Sequence, residues 1–253
     1  YQCGNLDSIT IPDRVTTIGN FTFSQCGNLA SVTFGDDSQL TSIGNSAFQY
    51  SGLTSISIPD LVTVLGGNTF WDCEDLISVT VGDNVTEIAS YTFRGCSSLT
   101  SVTFGDNSQL TTFKYRAFYL CSNLTSITIP NLVTTIEANA FEGSGLTSIT
   151  IPDLVTSIGE GAFSTTALTE VSIDFACPLV ADGTISLGSG QSFYGATGVT
   201  ITVTGATTFR FNDGTGLAKG GTVIDSSTLT PEQKTKLTAV EFLDQVTEIG
   251  DNA

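Results

Sequence analysis

The chain has 253 residues, with eight Lys or Arg against 25 Asp or Glu, a net charge of −17, six Cys, one Trp, and neither His nor Met. So acidic a chain is a poor partner for nucleic acid and for anionic membrane surfaces. Without His it has no Ser-His-Asp or Cys-His arrangement and no imidazole base, and it carries no Walker loop, dinucleotide fingerprint or zinc motif.

A frame of 22 to 25 residues repeats from Leu6 onward, with leading leucines at Leu6, Leu29, Leu53, Leu76, Leu99, Leu124, Leu146 and Leu168. The copy that starts at Leu124 returns almost unchanged at Leu146. A period in this range specifies a solenoid. Each unit opens with strand alternation, as in Leu6-Asp-Ser-Ile-Thr-Ile11, so that Ile9 and Ile11 share one face and Ser8 and Thr10 the other. A Pro-Asp or Gly-Asp pair then bends the chain. A second apolar pair, such as Val15 and Ile18, leads to a Phe at 23, 48, 70, 93, 118, 141 and 163. One unit cannot bury its apolar face alone, whereas stacked units place like residues over like and share a core. The Phe ladder therefore reads as packing. Ile9, Val32, Ile56, Val79, Val102, Ile127 and Ile149 are expected in one buried column. The units of Leu29 and Leu99 carry a two-residue extension, Gly-Asp-Asp/Asn-Ser-Gln-Leu, and should bulge on one edge.

The recurring pattern Cys-x-x-Leu-x-Ser-[Ile/Val]-Thr-[Ile/Phe]-Pro-x-x-[Val/Leu]-Thr-x-Ile-x-x-x-Ala-Phe resembles the BspA-like bacterial-surface-antigen class of leucine-rich repeats. The match is strong over about residues 3–173 and returns at Leu237–Ala253. The resemblance implies a β-rich (α/β-type) leucine-rich-repeat solenoid, right-handed, with about eight regular coils plus an irregular C-terminal part. It further implies a secreted or surface-displayed binding scaffold, often concerned with adhesion, without naming the partner.

Three segments follow: a regular solenoid over 1–173, irregular coils with one short helix over 174–236, and a restart of the repeat over 237–253. Within the middle segment Val199–Val203 looks like a remnant coil strand. Thr230-Pro231-Glu232-Gln233 reads as a helix start, with Thr230 as N-cap and Gln233 completing a capping box. The frame stops at Ala253, one residue before its next Phe, so the solenoid is expected to continue in a longer parent protein, and a missing signal peptide or anchor carries little information.

Cys3, Cys26, Cys73, Cys96 and Cys121 sit three residues before a leading Leu; Tyr50, Gly143 and Thr165 fill that slot elsewhere, and Cys177 is off the ladder. Small buried thiols are expected rather than disulfides or a metal site, since no CxxC and no His occur. Asp36, Asp60, Asp83 and Asp106, with Asp13 and Asp153, share one frame position and would line an edge with carboxylates. A Ca²⁺ ladder is one reading; the plainer one is turn chemistry, because Asp after Pro or Gly bonds its own backbone. No cofactor is expected. The sequons at Asn20, Asn84 and Asn123 occur at about the number that chance gives.

The residues following the ladder Phe place Trp71, Arg94 and Tyr119 on three consecutive coils, and variable slots nearby add Tyr91, Lys114, Tyr115 and Arg116. Three of the eight basic residues thus gather on an otherwise acidic chain, alongside the residue types enriched at interface hot spots. This group is the candidate contact surface for a protein or glycan ligand on a host or neighbouring cell. The bland reading is tolerated surface variation. Two other roles stay open: a structural spacer or surface-fibre component self-associating through its solenoid ends, and an ice-binding face built from the outward Ser/Thr rows, such as Ser8/Thr10 and Ser31/Thr33. The position is extracellular or cell-surface in all three.

Overall fold

The structure, a computed structural model, describes residues 3–174, 177–181 and 188–204. In chain order its elements are β1 (Ser8–Ile11), β2 (Thr17–Ile18), β3 (Ser31–Phe34), β4 (Ser42–Ile43), β5 (Ser55–Ser57), β6 (Val64–Leu65), β7 (Ser78–Val81), β8 (Glu87–Ile88), β9 (Ser101–Phe104), β10 (Thr112–Phe113), β11 (Thr135–Ile136), β12 (Ser148–Ile151), β13 (Ser157–Ile158), β14 (Glu170–Asp174), α1 (Pro178–Ala181), β15 (Gly188–Phe193) and β16 (Ala196–Thr204). Alternate strands pair across coils, so the described residues form a parallel β-solenoid with almost no helix.

The longer strands form one parallel ladder, β1-β3-β5-β7-β9, and a second, β12-β14-β16, to which β15 adds antiparallel. The two-residue strands form the opposite wall as β2-β4-β6 and β8-β10-β11-β13. In-register pairing sets Ile9 beside Val32, and Ile56, Val79 and Val102 side by side. Val32, Ile56, Val79, Val102, Ile127 and Ile149 are all buried. Ile9 is only half-buried, because among the described residues no coil stacks on the outer side of the first.

Inside, the seven ladder Phe rings form an unbroken parallel stack from Phe23 to Phe163, with centroids 5.1–5.6 Å apart and planes within 1–14°. Each buried ring contributes about 1.5–3 kcal/mol by transfer from water. That stack also settles the number of coils. Among the described residues the solenoid makes about seven turns rather than eight, because the unit opened by Leu168 builds β14 and adds no further ring to the Phe stack. At that end Tyr194, in the β15–β16 turn, stands in for a further coil by accepting the Phe163 amide at 3.0 Å.

The two extensions open the sheet. After the one at Gly35–Gln39 the β3–β5 register shrinks to Ser31 against Ser55, and after the one at Gly105–Gln109 the next coil lacks the longer strand and keeps only β11, although Ile127 and Ile129 stay buried. Concavities of about 720 and 550 Å³ lie between each extension and the following coil.

The cysteine slot is corrected by one residue. Its occupants lie three residues beyond the ladder Phe, and the amide of each donates back to that Phe: Cys73 to Phe70, Cys96 to Phe93 and Cys121 to Phe118, at 3.1–3.3 Å. By that geometry the occupants elsewhere are Ser51 and Ser144, both bonded to their Phe at 3.0 Å and both buried, followed by Thr166. Tyr50, Gly143 and Thr165 instead fall one place earlier. The units of Phe48, Phe141 and Phe163 are one residue shorter between slot and Leu, so counting back from Leu misses it.

All six cysteines are free thiols; five are buried, and Cys3 is exposed on the first coil. Cys73, Cys96 and Cys121 each donate to a Phe carbonyl of the preceding coil at 3.0–3.1 Å, and Cys177 bonds Val155 O at 3.2 Å. Burial pushes the Cys73 thiol up to about 11 and the Cys96 and Cys121 thiols well above their ordinary range. The helix expected from Thr230 and the repeat expected from Leu237 lie outside the described residues.

Candidate binding surface

The segment around each ladder Phe alternates in backbone sign. Residues two before and two after the Phe have φ near +60°, as at Phe21, Gln25, Ser46, Tyr50, Tyr91, Gly95, Arg116 and Leu120. The alternation divides the backbone hydrogen bonds. Amides at the Phe and at these two flanking positions point along the solenoid axis to the next coil, as Tyr91 N to Tyr115 O (3.1 Å), Phe93 N to Ala117 O (2.8 Å) and Gly95 N to Tyr119 O (2.8 Å). The amides between them close turns on the residue three back, as Arg94 N to Tyr91 O at 3.2 Å. The whole corner is thereby bonded with no sheet, and the residue after the Phe is left part-exposed on the outer edge at Gln49, Trp71, Arg94, Tyr119, Glu142 and Ser164, whereas Ser24 is buried.

On that edge the structure brings six of the seven sequence-selected residues into contact, and Lys114 is joined to them through Glu137, which also accepts the Tyr115 amide at 2.8 Å. The Arg94 guanidinium lies 4.5 Å from the Trp71 ring centroid, 5.8 Å from that of Tyr91 and 5.6 Å from that of Tyr119. Arg116 covers Tyr119 at 4.6 Å and Tyr115 at 5.1 Å. Rings and cations therefore alternate across successive coils, each such contact contributing about 0.5–1 kcal/mol at an exposed site. The rings also adjoin one another: Trp71 and Tyr91 are stacked at 6.2 Å, and Tyr91 meets Tyr115 edge-on at 5.3 Å. All seven side chains are half-buried.

Charges on this edge are mostly balanced. Lys114 lies 3.3 Å from Glu137 and 3.6 Å from Glu87, which sit in the coils on either side, and Arg116 lies 3.6 Å from Glu142. Hydrogen bonding and attraction from Glu137, then attraction from Glu87, hold the Lys114 ammonium above its ordinary range. Arg94 has no carboxylate within 4.0 Å among the described residues, so its partners are rings. Trp71 Nε1 and Arg116 Nε are buried without a hydrogen-bond partner.

The sequence reading missed Tyr50, whose ring lies 6.3 Å from Trp71, and Leu120; both are exposed at left-handed positions. It also missed the three glutamates that neutralise the patch. Leu120 and Tyr50 follow their ladder Phe by two residues, a spacing whose meaning shows only once the backbone alternation is known.

Members of the Asp ladder reach across to the next coil. Asp60 accepts the Asp83 amide at 3.2 Å, and the Asp13 carboxylate lies over Gly35, where any Cβ would collide with it. Asp36 and Asp106 stand in the extensions. Among the described residues no three His, Cys, Asp or Glu side chains are grouped to hold a metal. The outward hydroxyl rows bond to each other between coils, with Thr10 and Thr33 at 2.9 Å and Thr103 donating to Thr80 at 3.2 Å.

Comparison with known families decides the relationship. The model of the BspA-type leucine-rich repeat region matches residues 1–110 and 63–183, with six copies. The chain belongs to the BspA-type leucine-rich repeat family. Among solved structures, this BspA-type chain is similar to a leucine-rich repeat protein from Bacteroides ovatus at 27% identity and TM-score 0.60, over 80% of this chain and 56% of that one. It is also similar to a leucine-rich repeat protein from Eubacterium ventriosum, at 32% identity and TM-score 0.57, over 64% of this chain and 44% of that one. A leucine-rich cell surface protein from Faecalibacterium prausnitzii aligns at 27% identity and TM-score 0.44, over 81% and 61%. The chain thus spans 56% and 44% of the lengths of the Bacteroides ovatus and Eubacterium ventriosum proteins. No curated protein matches it. Among the described residues no helix is long and apolar enough to cross a membrane.

Proposed function

We propose that this segment is a non-enzymatic binding scaffold, secreted or displayed at a cell surface, that mediates adhesion through the edge formed by Trp71, Arg94 and Tyr119 with Tyr91, Lys114, Tyr115 and Arg116. The observation that carries the proposal is the alternating ladder of rings and guanidinium groups on that edge. The repeat frame needs Leu, Val, Ile and Phe in the core and small or polar residues at the turns; nothing in it needs a Trp-Arg-Tyr succession half-exposed across three coils. Trp, Tyr and Arg are the side chains that dominate the energetics of protein interfaces. Membership of a repeat family whose coils present an extended surface supports the scaffold role.

The test is attachment of the Trp71→Ala/Arg94→Ala variant to panels of host matrix proteins, glycans and intact cells. Truncation of true anchors costs about 2 kcal/mol or more, so binding should weaken at least tenfold while circular dichroism stays native. Unchanged attachment by a natively folded variant would remove this edge from the account.

A further inference from the structure

The cysteine slot is not uniform along the solenoid. At Cys73, Cys96 and Cys121 the thiol is buried and donates to a Phe carbonyl of the preceding coil at 3.0–3.1 Å. Cys26 is just as buried, but its thiol reaches only Ser24 O, in its own coil, at 3.9 Å. Its sulfur also faces the first coil, where it accepts the Cys3 amide at 3.3 Å. Cys3 is the exposed member of the six.

Both residues open the same turn, since Leu6 N donates to Cys3 O at 3.0 Å and Leu29 N to Cys26 O at 2.9 Å, so the two slots stack one coil apart. Coils at strand spacing lie about 4.7–4.9 Å apart, within the Cα separation of roughly 4.4–6.8 Å that a disulfide bridges. Side chains of neighbouring slots do meet: further along, Ser51 Oγ lies 3.3 Å from Cys73 Sγ. Burial pushes the Cys26 thiol above its ordinary range; hydrogen bonding to the Cys3 thiol and repulsion from it act in the same direction, while the Cys3 amide opposes them.

We propose that Cys3 and Cys26 form a reversible disulfide that staples the first coil to the second, with Cys3 as the entry thiol and Cys26 as the resolving one. The oxidant is a low-molecular-weight disulfide, such as oxidised glutathione. The Cys3 thiolate attacks one of its sulfurs, the S–S bond breaks, and one glutathione thiolate leaves as the mixed disulfide forms at Cys3. Cys26, losing its proton to water, then attacks Cys3 Sγ; the Cys3–Cys26 bond forms and the second glutathione thiolate departs. Two protein thiols are oxidised, and one glutathione disulfide is reduced to two thiols that take up the two protons released. Cys26 does not start the sequence, because a buried thiol in apolar surroundings is inert to reagents in solution. Cys73, Cys96 and Cys121 are kept out for the same reason, and each is already bonded to a Phe carbonyl. The pair lies on the first two coils, and its chemistry does not depend on what the aromatic edge binds.

The experiment exposes the native full chain to oxidised glutathione, blocks the remaining thiols with N-ethylmaleimide in denaturant, and maps the unreduced digest by mass spectrometry. One internal crosslink, Cys3 to Cys26, is expected, with Cys73, Cys96, Cys121 and Cys177 recovered as blocked thiols. Cys26→Ser should fold, because Ser51 and Ser144 already fill this slot in other coils. It should stop at the mixed disulfide of Cys3 with glutathione, which in the parent should be scarcer by roughly tenfold or more because the second exchange is intramolecular. Cys3→Ser should leave Cys26 free of glutathione. Amide exchange across β1 should slow when the parent is oxidised, a change that oxidised Cys26→Ser lacks. An unmodified Cys3, a mixed disulfide that persists in the parent, a crosslink between other cysteines, or glutathione on Cys26 in Cys3→Ser overturns the proposal, and unchanged exchange across β1 overturns the staple.

Discussion

Truncating Phe93 to Ala is expected to cost more than the same change at Phe23. Phe93 is fully buried and stacked on both faces, against Phe70 at 5.3 Å and Phe118 at 5.1 Å. Phe23 is 8% exposed and, among the described residues, stacks only against Phe48, at 5.3 Å. Removing a buried Phe costs about 3–5 kcal/mol through lost transfer energy and the cavity left behind. Each aromatic pair adds about 0.5–1.5 kcal/mol beyond area burial. Two pairs lost against one make the central substitution worse by about 1 kcal/mol, and the partial exposure of Phe23 widens the gap. In a chain of this size about 1 kcal/mol moves the melting temperature by roughly 2–4 °C. Urea titration followed by circular dichroism measures it, with the slopes compared before the midpoints. Because each coil touches only its neighbours, loss of Phe23 should fray one end and leave the rest cooperative, whereas loss of Phe93 interrupts the stack. Equal midpoints, or a larger loss at Phe23, would refute a continuous Phe column as the main support of the solenoid.

Other outcomes follow from the corrected register and the buried thiols. Ser51→Cys should fold normally with its new thiol protected from a labelling reagent, because Ser51 already occupies the cysteine slot, while Tyr50→Cys should label at once; the reverse pattern would restore the frame counted from Leu. The Cys73 thiol is raised from 9.0 to about 11 by burial, so its stabilising share is whole below pH 9 and is lost as pH climbs towards 11. Between pH 8 and 11 the unfolding free energy should fall by about 2 kcal/mol more in the parent than in Cys73→Ala; parallel curves would show that the thiol titrates normally. Lys114, held protonated by Glu137 and Glu87, contributes in the same direction, below the ordinary lysine value of 10.5 and lost above it. For so exposed a pair the effect is under about 1 kcal/mol, so Lys114→Met should change alkaline stability only slightly.

How much of this was legible depended on which physical rule was at work. Period-two alternation placed Val32, Ile56, Val79 and Val102 in one column because a parallel register carries like residues onto like. The same stacking made Trp71, Arg94 and Tyr119 neighbours before any coordinates, since position relative to the ladder Phe is conserved from coil to coil in space. The slot occupants Ser51 and Ser144 were missed because a one-residue deletion between slot and Leu shifts the count without disturbing the hydrophobic pattern. Tyr50 and Leu120 were missed because their presentation depends on the sign of φ, and large residues there are the ones local propensity argues against. The inter-coil pairing of Lys114 with Glu87 and Glu137 depended on side-chain reach, which a frame position does not encode.

The sole Trp of the chain stands in the middle of the proposed contact surface, which makes its fluorescence the most direct test. The full chain should be titrated with each soluble polysaccharide or matrix protein that it is found to bind, following Trp71 emission and its quenching by acrylamide. A ligand seated on this edge displaces water from the half-buried indole, so emission should shift and quenching should fall in saturable proportion to binding. Saturable binding with the emission and quenching of Trp71 unchanged would place the ligand elsewhere on the solenoid and contradict the account.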